Sequence, residues 1–179
     1  MRDIHTWEER IRPQVIQHFT KRLQRDLQEI HLDDIPPIRS YWIQGPIGSG
    51  KTLLAANLAL ERAKENFLAG ENRFIYMITI PEWLNEIKTC YSDPDRNEQD
   101  VLNKYSKADL LVLDDFGPER STDWAMDMLY LLINRRYEDD VITIFTSNFN
   151  LQELAEKLLD ERIPGRIERM CEIITLKAR

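Results

Sequence analysis

Apolar residues recur at helical spacing in some segments of this chain and run nearly continuously in others. Trp7, Ile11, Val15, Phe19, Leu23, Leu27 and Ile30 fall every three to four residues, which predicts an amphipathic helix over 7–31. Pro13 sits within its first turns and marks the true start or a kink. Asp33-Asp34-Ile35-Pro36-Pro37 is a stiff link into a β-prone run at 40–44. Helical spacing returns over 53–69 and stops at Gly70. Short apolar runs at 74–80, 109–113, 141–146 and 172–176 read as strands. Helical segments separate them: 82–89 behind Pro81, 100–106, and one from a cap at Ser121 or Thr122 to about Tyr137. Within the last of these, Trp124, Met128, Leu129, Leu132 and Ile133 form the buried stripe. Asn150 and Glu153 have capping-box spacing and predict a helix from Leu151, while 91–99 reads as an exposed polar turn. Buried strands alternating with helices predict an α/β fold, a parallel sheet covered on both faces. The boundaries are 1–37 for an N-terminal helical segment and linker, and 38–179 for one α/β domain.

Composition narrows the partners rather than the fold. The 179 residues suit one domain with a sizeable core. A net charge of −7 argues against a surface that coats nucleic acid nonspecifically, so any DNA contact must come from a local patch. Lys88, Lys104, Lys107, Arg135 and Arg136 are candidates for single-stranded nucleic acid, although such residues more often form a solvated face. Cys90 and Cys171 have no metal-ligand spacing, and His5, His18 and His31 are too dispersed for a metal cluster. Two reduced thiols, no signal-peptide core and no apolar run of spanning length lead to the expectation of a cytoplasmic protein without membrane contact.

The strongest chemical signal is at 45–52, which reads Gly-Pro-Ile-Gly-Ser-Gly-Lys-Thr and fits G-x-x-x-x-G-K-[ST]. Gly45, Gly48 and Gly50 free the backbone for unusual dihedrals close to an anion. With Ile47, Ser49 and Leu53 they place backbone N–H groups around phosphates, and Pro46, which has no N–H, shapes the loop among them, at the start of a helix whose dipole favours negative charge. Lys51 would reach the β- and γ-phosphates of ATP or the β-phosphate of ADP, and the Thr52 hydroxyl would bind Mg²⁺.

Three further signals follow. Four apolar residues at 110–113 deliver Asp114 and Asp115 to a strand end, where open parallel sheets hold their ligands. Asp114 would hold Mg²⁺, and Asp115 would orient or deprotonate the attacking water. Thr146-Ser147-Asn148 ends another buried strand, and Asn148 either senses the γ-phosphate or begins the turn into Asn150; the strand that presents it favours the sensor. Arg162 and Arg166 are four apart, yet Pro164 and Gly165 argue against a continuous helix there. From the residues alone, these arginines read as pairing with Asp160, Glu161 and Glu168 on a solvated surface.

With these motifs in place, the chain from about Ser40 to its C-terminus resembles AAA+ ATPases of the DnaC/DnaI helicase-loader type and their IstB-type transposition relatives. The matching segments are the phosphate loop, Leu-Asp-Asp-Phe-Gly at 113–117, Leu-Leu-Ile-Asn-Arg-Arg-Tyr at 131–137, Ile-Phe-Thr-Ser-Asn at 144–148, Leu-Gln-Glu-Leu at 151–154 and Glu-Arg-Ile-x-x-Arg-Ile at 161–167. The resemblance implies a three-layer P-loop sandwich with a five-stranded parallel sheet ordered 5-1-4-3-2; the sequence departs from the family pattern in that no C-terminal helical lid is expected after its last strand. It implies that Asp114 and Asp115 are the Walker B pair and Asn148 is sensor 1. It also implies that Arg162, with Arg166 as the second candidate, is an arginine finger acting on a neighbouring subunit. The partner implied is a replicative DNA helicase, or a transposase for the transposition relatives, with single-stranded DNA and a homo-oligomer in the ATP-bound state. Two other classes stay open: a P-loop small-molecule kinase, and an adaptor that binds nucleotide but barely hydrolyses it.

Overall fold

The computed structural model describes residues 3–11, 35–91, 93, 95–118 and 122–178. Five strands form one sheet: β1 (Tyr41–Gln44), β2 (Ile75–Thr79), β3 (Leu110–Asp114), β4 (Ile142–Ser147) and β5 (Glu172–Thr175). All neighbours are parallel, in the order β2-β3-β4-β1-β5, which read from the other edge is the 5-1-4-3-2 that the resemblance implies. Among the described residues from 35 onward, six helices join or flank them: α1 (Lys51–Ala69), α2 (Ile80–Thr89), α3 (Glu98–Ser106), α4 (Asp123–Glu138), α5 (Leu151–Leu158) and α6 (Arg162–Met170).

The strands read as continuous apolar runs because both faces of the sheet are covered. Tyr41, Ile43, Leu110, Val112 and Ile144 pack against Leu53, Ala55, Ala56, Leu58 and Ala59 of α1. On the other face Trp42, Leu111, Leu113 and Phe145 meet Ile87, Leu102, Leu132, Ile133, Leu154 and Ile167 of the remaining helices. Each such leucine or isoleucine contributes ~1.5–3 kcal/mol by leaving water. Together they fix the sheet, so the polar residues at the carboxyl ends of β1, β3 and β4 converge on one edge. Among the described residues no helix is long and apolar enough to cross a membrane.

Several boundaries differ from the sequence-based expectation, each for a local reason. Helix α1 starts at Lys51, two residues before 53, because the phosphate loop closes directly into the first turn at Gly50. Strand β2 stops at Thr79, whose side chain caps α2 while Glu82 returns the bond to the cap backbone; Ile80 is therefore helical although apolar. Helix α3 starts at Glu98 because Asn97 caps it. Thr122 caps α4, and Asn150 with Glu153 forms the expected capping box on α5. The expectation that Pro164 and Gly165 interrupt a helix is corrected: α6 runs through both. Pro164 lies in the first turn, where its missing N–H would have had no partner in any case, and Gly165 N–H donates to Glu161 O at 2.9 Å.

Of the helix expected over 7–31, the described part, Trp7–Ile11, is a π-helical turn rather than an α-helix, and it follows a short α-helical turn at Ile4–Thr6 that lies before the expected start. Trp7 is buried, its ring 5.8 Å from that of Phe67 on α1. The rest of that segment, with Pro13, His18 and His31, lies outside the described residues, as does Ser121.

Candidate functional site

The loop at 45–52 is rooted in the sheet on both sides. Gly45 N–H donates to Ser147 O at 3.2 Å, and Leu176 N–H donates to Gln44 O at 2.8 Å. Gly45 has φ 151°, and a Cβ there would stand 2.4 Å from Leu176 O, so the backbone passes where only glycine fits. Gly48 and Gly50 take left-handed φ values of 79° and 93°. Gly50 is the N-cap of α1 and no side chain caps that end, which leaves the first-turn amides facing the loop. Pro46, Ile47 and Gly48 are exposed at the loop tip, with Ile47 87% accessible, while Leu53 is buried under the sheet. The Ser49 hydroxyl is buried with no hydrogen-bond partner among the described residues.

Lys51 is 8% exposed and bends over the loop, its Nζ donating at 2.8 Å to both Gly45 O and Pro46 O. Burial pulls this ammonium below the ordinary lysine value, while the nearby Asp115 and Asp114 charges pull the other way. A buried cation held by neutral carbonyls is a group that an incoming anion would stabilise.

Thr52 and Asp114 meet directly: Thr52 Oγ1 donates to Asp114 Oδ1 at 2.9 Å. Thr146 Oγ1 donates to the same oxygen at 2.6 Å and accepts the Asp115 N–H at 2.9 Å. Asp115 sits in the left-handed region, φ 53°, with the Asn148 amide nitrogen 3.5 Å from its carboxylate. Ser147 Oγ donates to Phe116 O at 2.6 Å and accepts Phe149 N–H at 3.0 Å, strapping the turn after β3 to the end of β4. The structure thus brings Lys51, Thr52, Asp114, Asp115 and Asn148 to one edge of the sheet. It adds Thr146 and Ser147, which the sequence reading quoted without assigning them a role; their signal was the register that sets Leu113 beside Phe145, hence Asp114 beside Thr146.

The two arginines lie elsewhere. Arg162 is held by Asp160, its Nη2 at 2.8 Å, stands over the Tyr130 ring at 5.2 Å and has Asp127 at 3.9 Å. Arg166 donates through Nε to Asn134 Oδ1 at 2.9 Å and stacks over Tyr137 at 4.9 Å. Among the described residues neither has a polar contact to the loop or to the aspartates. Pairing with Asp160 is the surface reading for Arg162, and the ion pairs with Glu161 and Glu168 are absent among the described residues.

One candidate for nucleic-acid contact is corrected. Arg136 is fully buried and donates to Thr143 Oγ1 and to four backbone carbonyls, those of Tyr105, Ser106, Ala108 and Ile142, at 2.6–3.2 Å. It ties α4 to the amino ends of β3 and β4 and presents nothing to solvent. Of the others, Lys104 pairs with Glu86 at 2.8 Å, Arg135 donates to Asn103 Oδ1 at 3.1 Å, and Lys88 stands 5.9 Å from the Trp124 ring.

Placing β4 between the loop strand and the aspartate strand is the arrangement of the AAA+ class of P-loop proteins. The model of the IstB-like ATP binding protein family matches residues 20–178, and the chain belongs to that family. It is 28% identical over 130 residues to the replicative helicase loader DnaC of Escherichia coli (strain K12), covering 73% of this chain and 50% of that protein. It is 29% identical over 117 residues to the replicative helicase loader DnaI of Bacillus subtilis (strain 168), covering 65% and 35%. A crystal structure of DnaI has a TM-score of 0.63 at 28% identity, over 87% of this chain and 81% of that one. The chain spans half or less of the length of these two curated relatives.

Proposed function

We propose that this protein is an ATP-hydrolysing switch that delivers a replicative DNA helicase to DNA. The observation that carries this is the hydrogen-bonded line Thr52–Asp114–Thr146–Asp115 beside a glycine loop that holds a buried Lys51. The likeness to DnaC and DnaI favours helicase loading over a transposition helper. A small-molecule kinase would leave the polar end of β4 without a purpose. In this reading residues 38–179 handle the nucleotide and the segment before them faces the partner.

The residues suit Mg·ATP. Mg²⁺ is usually held through one or two carboxylates together with substrate phosphates, and a paired threonine and aspartate supply that donor set. When bound, the ion neutralises charge on the phosphates. Thr52 and Asp114 would hold it. Lys51, bonded only to carbonyls at 2.8 Å, would turn to the β- and γ-phosphates at little cost. The amides of 45–52 would cradle the phosphate tail. Asp115 would accept the proton of the attacking water, and Asn148, whose amide is 3.5 Å from it, would hold that water or the γ-phosphate. Asp115 is one methylene shorter than glutamate, which suits slow turnover. Arg162, or Arg166, would complete the site of a neighbouring subunit, where a guanidinium stabilises the charge of phosphoryl transfer.

The test is ATPase rate per subunit against protein concentration, with and without single-stranded DNA and helicase. A rate that rises with concentration, and loses that rise in Arg162→Ala, supports the shared site. A rate independent of concentration and untouched by Arg162→Ala refutes it.

A further inference from the structure

We propose that Thr146 is the positioning residue that sets both aspartates of the site, and that its hydroxyl, not its packing, does so. This rests on the Mg·ATP reading above. A hydroxyl has one proton and two lone pairs. In Thr146 the proton goes to Asp114 Oδ1 at 2.6 Å and a lone pair takes the Asp115 N–H at 2.9 Å. One buried group, 1% exposed, therefore holds the carboxylate of one aspartate and the backbone of the next.

The consequences differ for the two. Asp114 Oδ1 accepts from Thr52 and Thr146 together, so two donors on different elements, α1 and β4, fix the rotation of this carboxylate. Its Oδ2 has no protein hydrogen bond among the described residues, which leaves it free for a cation. Asp115 has the opposite need. It adopts φ 53°, a conformation that aspartate tolerates but does not prefer. The N–H···Oγ1 bond to Thr146 ties its backbone in that conformation, which turns its carboxylate away from the strand and toward Asn148. Phe116 N–H to Thr146 O at 2.7 Å continues the tie one residue further, so the turn after β3 is templated on the end of β4. Groups that orient the ligands of a metal site typically change affinity or activity by ~10–100-fold when removed.

Thr146→Val keeps the shape and deletes the hydroxyl; Thr146→Ser keeps the hydroxyl and deletes the methyl. Three readouts separate the roles: affinity for a fluorescent ATP analogue with and without Mg²⁺, single-turnover hydrolysis, and hydrogen exchange of the Asp115 amide without nucleotide. We expect Thr146→Val to retain Mg²⁺-free binding and to lose the Mg²⁺-dependent tightening and the hydrolysis by ~10-fold or more. The Asp115 amide should exchange fast in Thr146→Val and stay protected in Thr146→Ser, which should match the wild type in all three. A serine variant as impaired as the valine one would show a packing role and overturn the inference, even if the valine variant folds poorly. A wild type that binds Mg·ATP beside a valine variant with unchanged metal dependence would overturn the inference alone. A wild type that binds no Mg·ATP would overturn the site reading, and the inference with it.

Discussion

Replacing Arg136 by methionine should weaken the fold severely without touching the nucleotide site. The guanidinium is fully buried and has five acceptors: the Thr143 hydroxyl and the carbonyls of Tyr105, Ser106, Ala108 and Ile142. None is a carboxylate. Burial pulls this guanidinium down to about 9, which still leaves it charged at neutral pH. Methionine fills most of the volume and donates nothing. At ~1 kcal/mol for each buried acceptor stranded, the gross loss is ~4–5 kcal/mol. Deleting a desolvated charge returns part of that, because a buried ion carries a penalty of its own. A net destabilisation of ~3 kcal/mol remains, or ~6–12 °C in Tm at the 2–4 °C per kcal/mol typical of this chain length. Urea unfolding followed by far-UV circular dichroism measures it. Arg136→Lys should recover only part, since an ammonium cannot span acceptors placed around a planar fork. A methionine variant within ~0.5 kcal/mol of the wild type would refute the structural role. If that stable variant also lost single-stranded DNA binding, the nucleic-acid role would be restored.

Lys51→Ala should abolish tight ATP binding with Tm nearly unchanged, because Nζ bonds only loop carbonyls; calorimetric titration and a thermal melt check both halves. Gly45→Ala should cost ~2 kcal/mol or more and also weaken nucleotide binding, since its Cβ would stand 2.4 Å from Leu176 O at φ 151°. Asp109 accepts from Arg62 at 2.7 and 2.9 Å, from Asn66 at 2.9 Å and from Arg73 at 3.1 Å. Burial alone would raise its pKa, but these donors outweigh it and the folded value lies below the unfolded one. Its contribution is therefore present above the unfolded carboxylate range and lost as pH falls through the folded value. Asp109→Asn should lower stability at pH 7 by ~1–3 kcal/mol and converge toward the wild type below about pH 4, read from urea midpoints across pH.

Much of the site was legible because its chemistry is written locally. Three glycines, a lysine and a threonine at fixed spacing specify a loop whatever the rest of the chain does. An apolar strand ending in two aspartates needs only the rule that ligands sit at carboxyl ends. The order of the strands was not local: it came from resemblance, as no periodicity in 110–113 or 142–147 says which neighbours which. What the sequence hid is polar chemistry placed by tertiary contact. Arg136 continues the stripe of Leu129, Leu132 and Ile133 at helical spacing, so its position on the buried face was readable; its charge argued otherwise until five acceptors were found around it. Thr79 lies inside the apolar run 74–80, which hides it as a strand residue although its hydroxyl and Glu82 three residues on have capping-box spacing. Pro164 and Gly165 looked like breakers because propensity describes helix interiors, and the first turn is exempt for proline. Thr146 could be assigned only once β4 was known to lie beside β3.

The most direct test of the central claim is a crystal structure of this chain with Mg²⁺ and a non-hydrolysable ATP analogue. The account predicts the phosphate tail within the amides of residues 45–52, Lys51 Nζ moved from the carbonyls of Gly45 and Pro46 to the β- and γ-phosphates, and Mg²⁺ at ~2.1 Å from Thr52 Oγ1 with Asp114 bound directly or through water. A nucleotide bound elsewhere on the chain, or a metal ion out of reach of Thr52 and Asp114, would contradict it.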